Sequence, residues 1–406
     1  MKEVNRLRYL TAGESHGPRL TGIVEGLPAG LPVSIKDINR QLARRQGGYG
    51  RGGRMKIEKD KIEILAGVRF SLTTGAPLAL SIENKDFANW KDVMSAEGPA
   101  EEKKRIVRPR PGHADLAGGI KYLHKDLRNV LERSSARETA MRVAICTLGR
   151  MLVSQFQVHI FSHILALGSV SVEEKIKDIS YQEIEKEASA SSVSCGHAAT
   201  SSAMIDEVDR AHREGDSLGG VIEVIALNPV PGLGSHVQWD RRLDSRLAGA
   251  LMSIQGVKGV EVGDGFASTK KMGSQVHDPI GLDEEQKLYR PTNRAGGLEG
   301  GMTNGEPIVL RLAMKPIPTL TRPLKSVDIL SFEENQAAAE RSDTCAVPAA
   351  AVVAEAIVAW ELALAYREKF GGDSMEEMTG AYKKYCQLVE EYLEGHWKGI
   401  PDLGEE

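Results

Sequence analysis

The chain has 406 residues, of which 41% are hydrophobic and 27% charged, with a formal net charge of −4. This is the composition of a globular protein able to bury a large core, and the slightly acidic balance excludes a global electrostatic pull on nucleic acid. No apolar stretch follows the basic N-terminus MKEVNRLRYLTAGESHG, no run of about 18 apolar residues marks a membrane span, and Cys146, Cys195, Cys345 and Cys386 are too scattered for a zinc site or a disulfide framework, which leaves free thiols in a reducing cytoplasm.

Ser34 opens the first predicted helix, SIKDINRQLARRQ, as an N-cap with Asp37 three residues on; Ile35, Ile38 and Leu42 share one face. Gly47 ends it, so Arg44 and Arg45 fall in its last turn. KIEKDKIEILAGVRF alternates like a hairpin around Lys59–Asp60, and GAPLALSIEN reads as a strand. SSARETAMRVAICTLGRMLV is a second helix, opened by a Ser135–Glu138 capping box and striped by Met141, Ala144, Ile145, Leu148 and Leu152. The Glu/Lys-rich stretch 172–190 is predicted as a solvated helical excursion, and GGVIEVIALNPVP as a strand. In DRRLDSRLAGALMSIQG, Asp240 caps a third helix, Leu243, Leu247, Leu251 and Ile254 line it, and Gly256 stops it. EPIVLRLAMKPIP is a further strand. VPAAAVVAEAIVAWELALAYREKFGG has Pro348 in its first turn and Gly371 at its end; its first half is apolar on nearly all sides, which predicts a core helix. The charged tail 372–406 is expected to be peripheral. Strands and helices do not alternate strictly and no linker divides the chain, so the expected fold is α+β, one large layered domain over 1–406.

The most unusual stretch is RRQGGYGRGGRMK, with four arginines and five glycines in its first eleven residues. Gly48–Gly53 formally matches GxGxxG, but a dinucleotide loop follows a strand and opens a helix, whereas here a helix precedes and a strand follows. An RGG-type RNA segment, an anion-binding loop and a solvated basic loop remain open from the residues. Four crowded guanidinium groups repel one another without a counter-ion, and arginine suits bidentate binding of phosphate or carboxylate. Further basic clusters follow. KKRIVRPRPGHADL carries Arg110 and His113. LERSSARET places Arg133, Ser134, Ser135 and Arg137 at a predicted helix N-terminus, a good phosphate site. For KPIPT (Lys315–Thr319) and ERSDT (Arg341, Asp343), the residues alone favour an ordinary strand end or solvated turn over a binding role. Of the ten histidines, His16 in GESHGP and His113 in PGHAD stand out, each beside glycine as functional histidines on tight turns often are, though a structural role serves as well for either. No HExxH, GxSxG or Walker A motif is present. The sum points to an enzyme for a multiply anionic small molecule with a phosphorylated cofactor; the competing class is an Arg/Gly-loop RNA-binding module.

The blocks RYLTAGESHGPRLTGIVEGLPAGLP, RRQGGYGRGGRMKIE, RPRPGHADLAGGIKY, ERSSARETAMRVA, SIQGVKGVEVGDGF, GGLEGGMTNGEPI, MKPIPTL and RSDTCAVPAA run in order from Arg8 to Ala350. Together they resemble chorismate synthase. The resemblance implies anti-1,4-elimination of phosphate from 5-enolpyruvylshikimate 3-phosphate to give chorismate, the last common step of the shikimate pathway. It implies a requirement for reduced FMN without net redox change, a β-α-β sandwich core and a cytoplasmic homotetramer, with no nucleic-acid, membrane or metal partner. In some members NADPH reduces the flavin. Carried onto this chain, the resemblance makes His16 the acid that protonates the departing phosphate and His113 the group that holds charge near N1 of reduced flavin. Asp343 then helps to deprotonate N5. Flavin contacts fall on Arg133, Ser134, Ser135, Gln255, Gly256, Gly300, Lys315, Pro316, Ile317, Pro318, Thr319 and Arg341. Arg45 and Arg51 match positions that contact NADPH and are equally suited to the substrate phosphate. With Arg54, Arg110 and Arg137 they face a ligand bearing a phosphate and two carboxylates. Gly256 stands where the resemblance leads one to expect alanine.

Overall fold

The computed structural model describes residues 7–52, 59–98, 104–340 and 343–396. Two antiparallel sheets dominate. The first contains β1 (Arg8–Ala12), β2 (Arg19–Glu25), β3 (Ile62–Ala66) and β4 (Leu78–Glu83) in the order β1-β2-β4-β3. The second contains β5 (His159–Leu167), β6 (Val170–Ser171), β7 (Gly220–Leu227), β8 (Val257–Val262) and β9 (Ile308–Met314) in the order β8-β9-β7-β5-β6. In β2 every second residue is buried, Leu20 and Val24 among them, as a strand with one face on a core requires. The expectation of mixed helix and antiparallel sheet is met.

The helices are α1 (Ile35–Gln46), α2 (Asp115–Tyr122), α3 (Arg128–Ser134), α4 (Glu138–Ser154), α5 (Tyr181–Ala190), α6 (Ala198–Glu214), α7 (Leu243–Met252), α8 (Val347–Phe370) and α9 (Met375–Leu393). Helix α4 meets the strands of the first sheet, α8 meets β5 and β7 of the second, and the two helices pack along each other. Gly149 allows that approach: a Cβ there would lie 3.0 Å from the Trp360 Cα. Most buried apolar side chains from Leu7 to Met378 form one continuous cluster, and Ile106, Leu127 and Leu131 form a small second one. Helix α8 is long and apolar enough to span a membrane by composition, which the sequence reading passed over. Its apolar stretch is 94% buried inside the protein, as expected of a core helix.

Several local expectations hold. Ser34 accepts from the Asp37 N–H, Pro348 sits in the first turn of α8, and Gly371 ends it at φ +59°. Others need correction. Ser135 opens no capping box: it closes the short helix α3, while Glu138 begins α4 behind Arg137. Arg133 and Ser134 therefore stand at a helix C-terminus, where a cation is favoured. Asp240 lies in a 3₁₀ turn before α7 and caps nothing. The first arm of the expected Lys59–Asp60 hairpin falls outside the described residues, and Asp60 itself is buried in an ion-pair cluster. The stretch 172–190 does form a helix, α5, but Ile184 and Ala188 pack it onto the protein. The tail carries α9, opened by a reciprocal Ser374–Glu377 capping box, with Tyr382 against Phe156 and Phe370.

Candidate active site

His16 lies in the turn between β1 and β2 and is 8% exposed. Glu132, on α3, takes both of its near donors: Oε2 accepts the His16 backbone N–H at 2.7 Å and Oε1 faces Nδ1 at 2.8 Å. Arg128, one turn earlier, bonds Glu132 at 3.2 Å and Glu340 at 3.1 Å. Burial alone would raise the Glu132 carboxyl, but His16 and Arg128 outweigh it and hold it below its ordinary value. An ionised carboxylate only accepts, so the His16 proton sits on Nδ1. Trp90 stacks on the imidazole with ring centroids 3.9 Å apart.

His113 repeats the pattern. Asp115 Oδ1 lies 2.6 Å from its Nδ1, and Arg110 holds both oxygens of Asp115 at 2.8 and 3.0 Å. Asp115 is fully buried and Arg110 is 6% exposed. Burial pushes the Asp115 carboxyl up, but the hydrogen bonds from His113 and Arg110 more than reverse this and hold it far below the carboxylate range. Arg110 also bonds the Thr319 hydroxyl at 2.9 Å, and Lys315 Nζ reaches the Gly112 carbonyl at 2.5 Å. KPIPT thus braces the PGHAD turn.

The glycine–arginine segment divides at the end of α1. Arg44 turns to the buried Glu355. Arg45 is 4% exposed; it bonds Thr139 Oγ1 and the Ala136 carbonyl, both at 2.9 Å, and its Nη1 lies 3.6 Å from Asp60 Oδ2. Burial holds this guanidinium below its ordinary value, with Asp60 offsetting only part of the cost. Neither atom of that 3.6 Å pair has a hydrogen-bond partner among the described residues. Asp60 also takes Arg137 at 2.5 Å. Asn84 Oδ1 accepts from Arg137 at 2.8 and 3.0 Å, while its amide donates to the carbonyls of Glu14 and Gly17. One asparagine therefore ties the buried arginines to the His16 turn. Arg51 bonds Asp343 Oδ2 at 2.5 Å, and Gly52 N–H bonds Oδ1 at 2.6 Å, so two motifs almost 300 residues apart meet directly. Arg54 and Arg341 lie outside the described residues.

The remaining candidates follow one line. Arg133 bonds Thr11 Oγ1 at 2.7 Å; Thr11 donates to Glu138 Oε1 at 3.1 Å; Gln255 donates to Glu138 Oε2 at 3.4 Å. Gly256, at φ +88°, accepts from the Lys315 backbone at 2.9 Å. That left-handed conformation suits glycine and strains alanine. Ser134 stays in the last turn of α3, Ser135 Oγ accepts from Ser15 Oγ at 3.1 Å, and the Ile317 carbonyl accepts from Ser217. Pro316 and Pro318 lie on the Lys315–Thr319 segment beside Gly112. Gly300 is not drawn in. Its hairpin touches the start of α7, whereas Gln255 follows the far end of that helix, about 15 Å away at 1.5 Å per residue.

The segment from Lys104 to Arg110 joins the two histidine groups, since Arg128 Nε bonds the Lys104 carbonyl at 2.6 Å. Beside it opens a cleft of about 370 Å³ lined by Trp90, Lys104, Arg105, Arg108, Arg128 and Glu340. A second cavity, of about 490 Å³, surrounds Asp278 and Arg294. Asp278 there is consumed by the Thr292 hydroxyl and the N–H groups of Arg294 and Ala295, which marks a structural turn. No cluster of three or more metal-ligating side chains occurs among the described residues.

Sequence reading missed the carboxylates. Glu132 and Asp115 stand in blocks already singled out, one and two residues from named candidates, and Asp60 and Asn84 lie outside them. A buried Arg or His needs a counter-charge, so an acidic residue inside a basic motif was the available signal. Both histidine-bound carboxylates are depressed in the folded state. Their stabilisation is present above the unfolded carboxylate pKa and is lost as pH falls through and below it. Denaturant midpoints measured from pH 7 down to pH 3 should therefore decline steeply below about pH 4.5; a flat profile would contradict the two ion-pair clusters.

The chorismate synthase family model matches residues 7–366. Chorismate synthase of Desulforamulus reducens is 55% identical over 384 residues, covering 94% of this chain and 99% of that protein. The Desulforudis audaxviator enzyme is 56% identical over 384 residues, covering 94% and 98%. A crystal structure of chorismate synthase aligns with a TM-score of 0.76 at 42% identity, covering 97% of this chain and 100% of the other. The chain therefore belongs to the chorismate synthase family, and it is a lyase of the shikimate pathway.

Proposed function

We propose that this chain eliminates phosphate from 5-enolpyruvylshikimate 3-phosphate to give chorismate, with His16 as the acid toward the leaving phosphate and His113 as a charge-holding partner of the cofactor. One observation carries the assignment of roles. Each histidine is fixed by a buried carboxylate that is itself held by a buried arginine: His16–Glu132–Arg128 and His113–Asp115–Arg110. Such a carboxylate orients the ring and fixes the proton on Nδ1, which leaves Nε2 as the nitrogen that acts in acid catalysis. His16 would give its Nε2 proton to the phosphate oxygen that takes the C–O bonding pair, and would keep the Nδ1 proton against Glu132.

Around these, Arg45, Arg51, Arg54, Arg110 and Arg137 would bind the phosphate and carboxylates of the substrate, or the phosphates of NADPH. The arginine made costly by burial, Arg45, is the one a dianion would relieve most. Asp343 would act beside Arg51. The residues present fit reduced FMN. Gln255 Oε1 is buried without a hydrogen-bond partner among the described residues, an acceptor waiting for a ring N–H. Arg133, Ser134, Ser135, Gly256, Arg341 and the Lys315–Thr319 segment would complete the cofactor's seat. Reduced FMN supplies electron density to the breaking C–O bond when bound.

On the same reading the chain is one domain and forms a cytoplasmic homotetramer without a nucleic-acid, membrane or metal partner. The contacts of α4 with one sheet and α8 with the other support a β-α-β sandwich. Anaerobic incubation with the substrate and chemically reduced FMN should release phosphate and chorismate in equal amounts. A parallel arm with FMN and NADPH decides whether the protein reduces its own flavin, for which turnover without a chemical reductant is the expected sign. Absence of phosphate release in the first arm would sink the assignment.

A further inference from the structure

We propose that Glu132 and Trp90 are positioning residues that fix the tautomer and tilt of His16, so that its Nε2 proton alone is offered to the leaving phosphate. The inference rests on the reading of His16 as the acid and adds two residues to it. Glu132 uses its two oxygens on two donors of one residue, the backbone N–H at 2.7 Å and the ring Nδ1 at 2.8 Å. This double grip ties the ring to its own main chain. The carboxylate cannot swivel without losing one bond, and it is pinned further by Arg128 at 3.2 Å.

Trp90 supplies the remaining restraint. Its ring lies 3.9 Å from the imidazole and tilted by 25°, so rotation of the imidazole would collide with it. Lys104 Nζ is 3.8 Å from the same tryptophan centroid. Two groups this close to one centroid must take opposite faces, so Lys104 clamps Trp90 from behind. The charged groups around this assembly include Glu132 and Arg128 beside His16, and Lys104 and Asp86 on Trp90, with the Asp86 carboxylate accepting the indole N–H at 3.2 Å.

The grip makes a sharp prediction for Glu132→Gln. The backbone N–H of residue 16 can only be met by the amide oxygen, which turns the amide NH₂ toward Nδ1. The ring must then accept at Nδ1, which moves its proton to Nε2 in the neutral form and opposes the cation. We expect imidazole ¹⁵N spectra of histidine-labelled protein, assigned by difference with His16→Ala, to show Nδ1 of His16 changing from protonated to unprotonated. Turnover with reduced FMN should fall by roughly 10²–10⁴-fold with KM little changed, the range seen when a catalytic imidazole loses its acid role or correct tautomer. Glu132→Asp restores a carboxylate and should recover at least tenfold of that loss. Trp90→Ala leaves every charge in place and should lower kcat about tenfold with KM within about twofold; this arm stands even where Glu132→Gln does not fold. Wild-type tautomer and turnover in Glu132→Gln, or unchanged kcat in Trp90→Ala, would overturn the proposal. Full turnover in His16→Ala would instead sink the reading it rests on.

Discussion

Replacing His16 by alanine is expected to lower kcat by roughly 10²–10⁴-fold, the usual worth of a positioned general acid, while the protein stays folded. The second half follows from the surroundings. Glu132 keeps Arg128 at 3.2 Å and the backbone N–H of residue 16 at 2.7 Å, so truncation leaves no buried charge without a partner. The removed imidazole is in contact with Trp90, whose other face is covered by Lys104, so the gap opens beside a ring that is still held. Circular dichroism and flavin binding should be close to wild type while phosphate release is not. His113→Ala is expected to behave alike in folding, because Arg110 still neutralises Asp115. Loss of folding in His16→Ala would show that the turn serves architecture first.

Glu355→Ala is expected to destabilise the protein by about 3 kcal/mol, near the lower end of the range for removing one partner of a buried ion pair. Glu355 lies on α8 and is 1% exposed. Its carboxylate accepts two bonds from Arg44 at 2.7 and 2.8 Å, one from Arg150 at 2.6 Å and one from Ser162 at 2.7 Å. Burial pushes this carboxyl up, and the two arginines more than reverse that. The cluster joins α1, α4, α8 and β5 at one point. Its loss strands two cations, though the Arg44 side chain is 41% exposed and can regain water, which is why the smaller value is expected. Urea unfolding of the two proteins measures the difference. Because Arg44 and Arg45 are adjacent at the end of α1, a weakened α1 should also raise KM for the anionic substrate. Unchanged stability would show that the Glu355 ion pairs contribute nothing net.

Much of the frame was legible because its signals are local. The α1 cap at Ser34, the apolar run of α8 between Pro348 and Gly371, and the core strands need only periodicity and end chemistry to be seen. The errors came where one residue type serves two purposes. Ser135 followed by Glu138 fits a capping box by spacing, but α3 already occupies Arg128–Ser134, so the serine closes one helix while Glu138 is drawn to Thr11 and Gln255. Asp60 lies in an alternating stretch that reads as a hairpin, but two buried arginines claim it. The histidines and arginines of the site could be picked out because motifs carry them. Their partners could not, since pairing Arg51 with Asp343, or Asn84 with Arg137, is a matter of long-range packing. The bond between Thr344 N–H and the Gly50 carbonyl at 2.9 Å makes the point for the opening basic loop: it is held by the far end of the chain.

We propose that two carboxylate-oriented histidines and the buried arginines beside them serve phosphate elimination. The most direct test is an anaerobic single-turnover measurement of phosphate and chorismate with saturating reduced FMN, comparing wild type with His16→Ala at matched flavin occupancy. Wild type should release both products in equal amounts, and the variant should bind flavin yet release neither on the same timescale. Equal product release from both proteins would contradict the account.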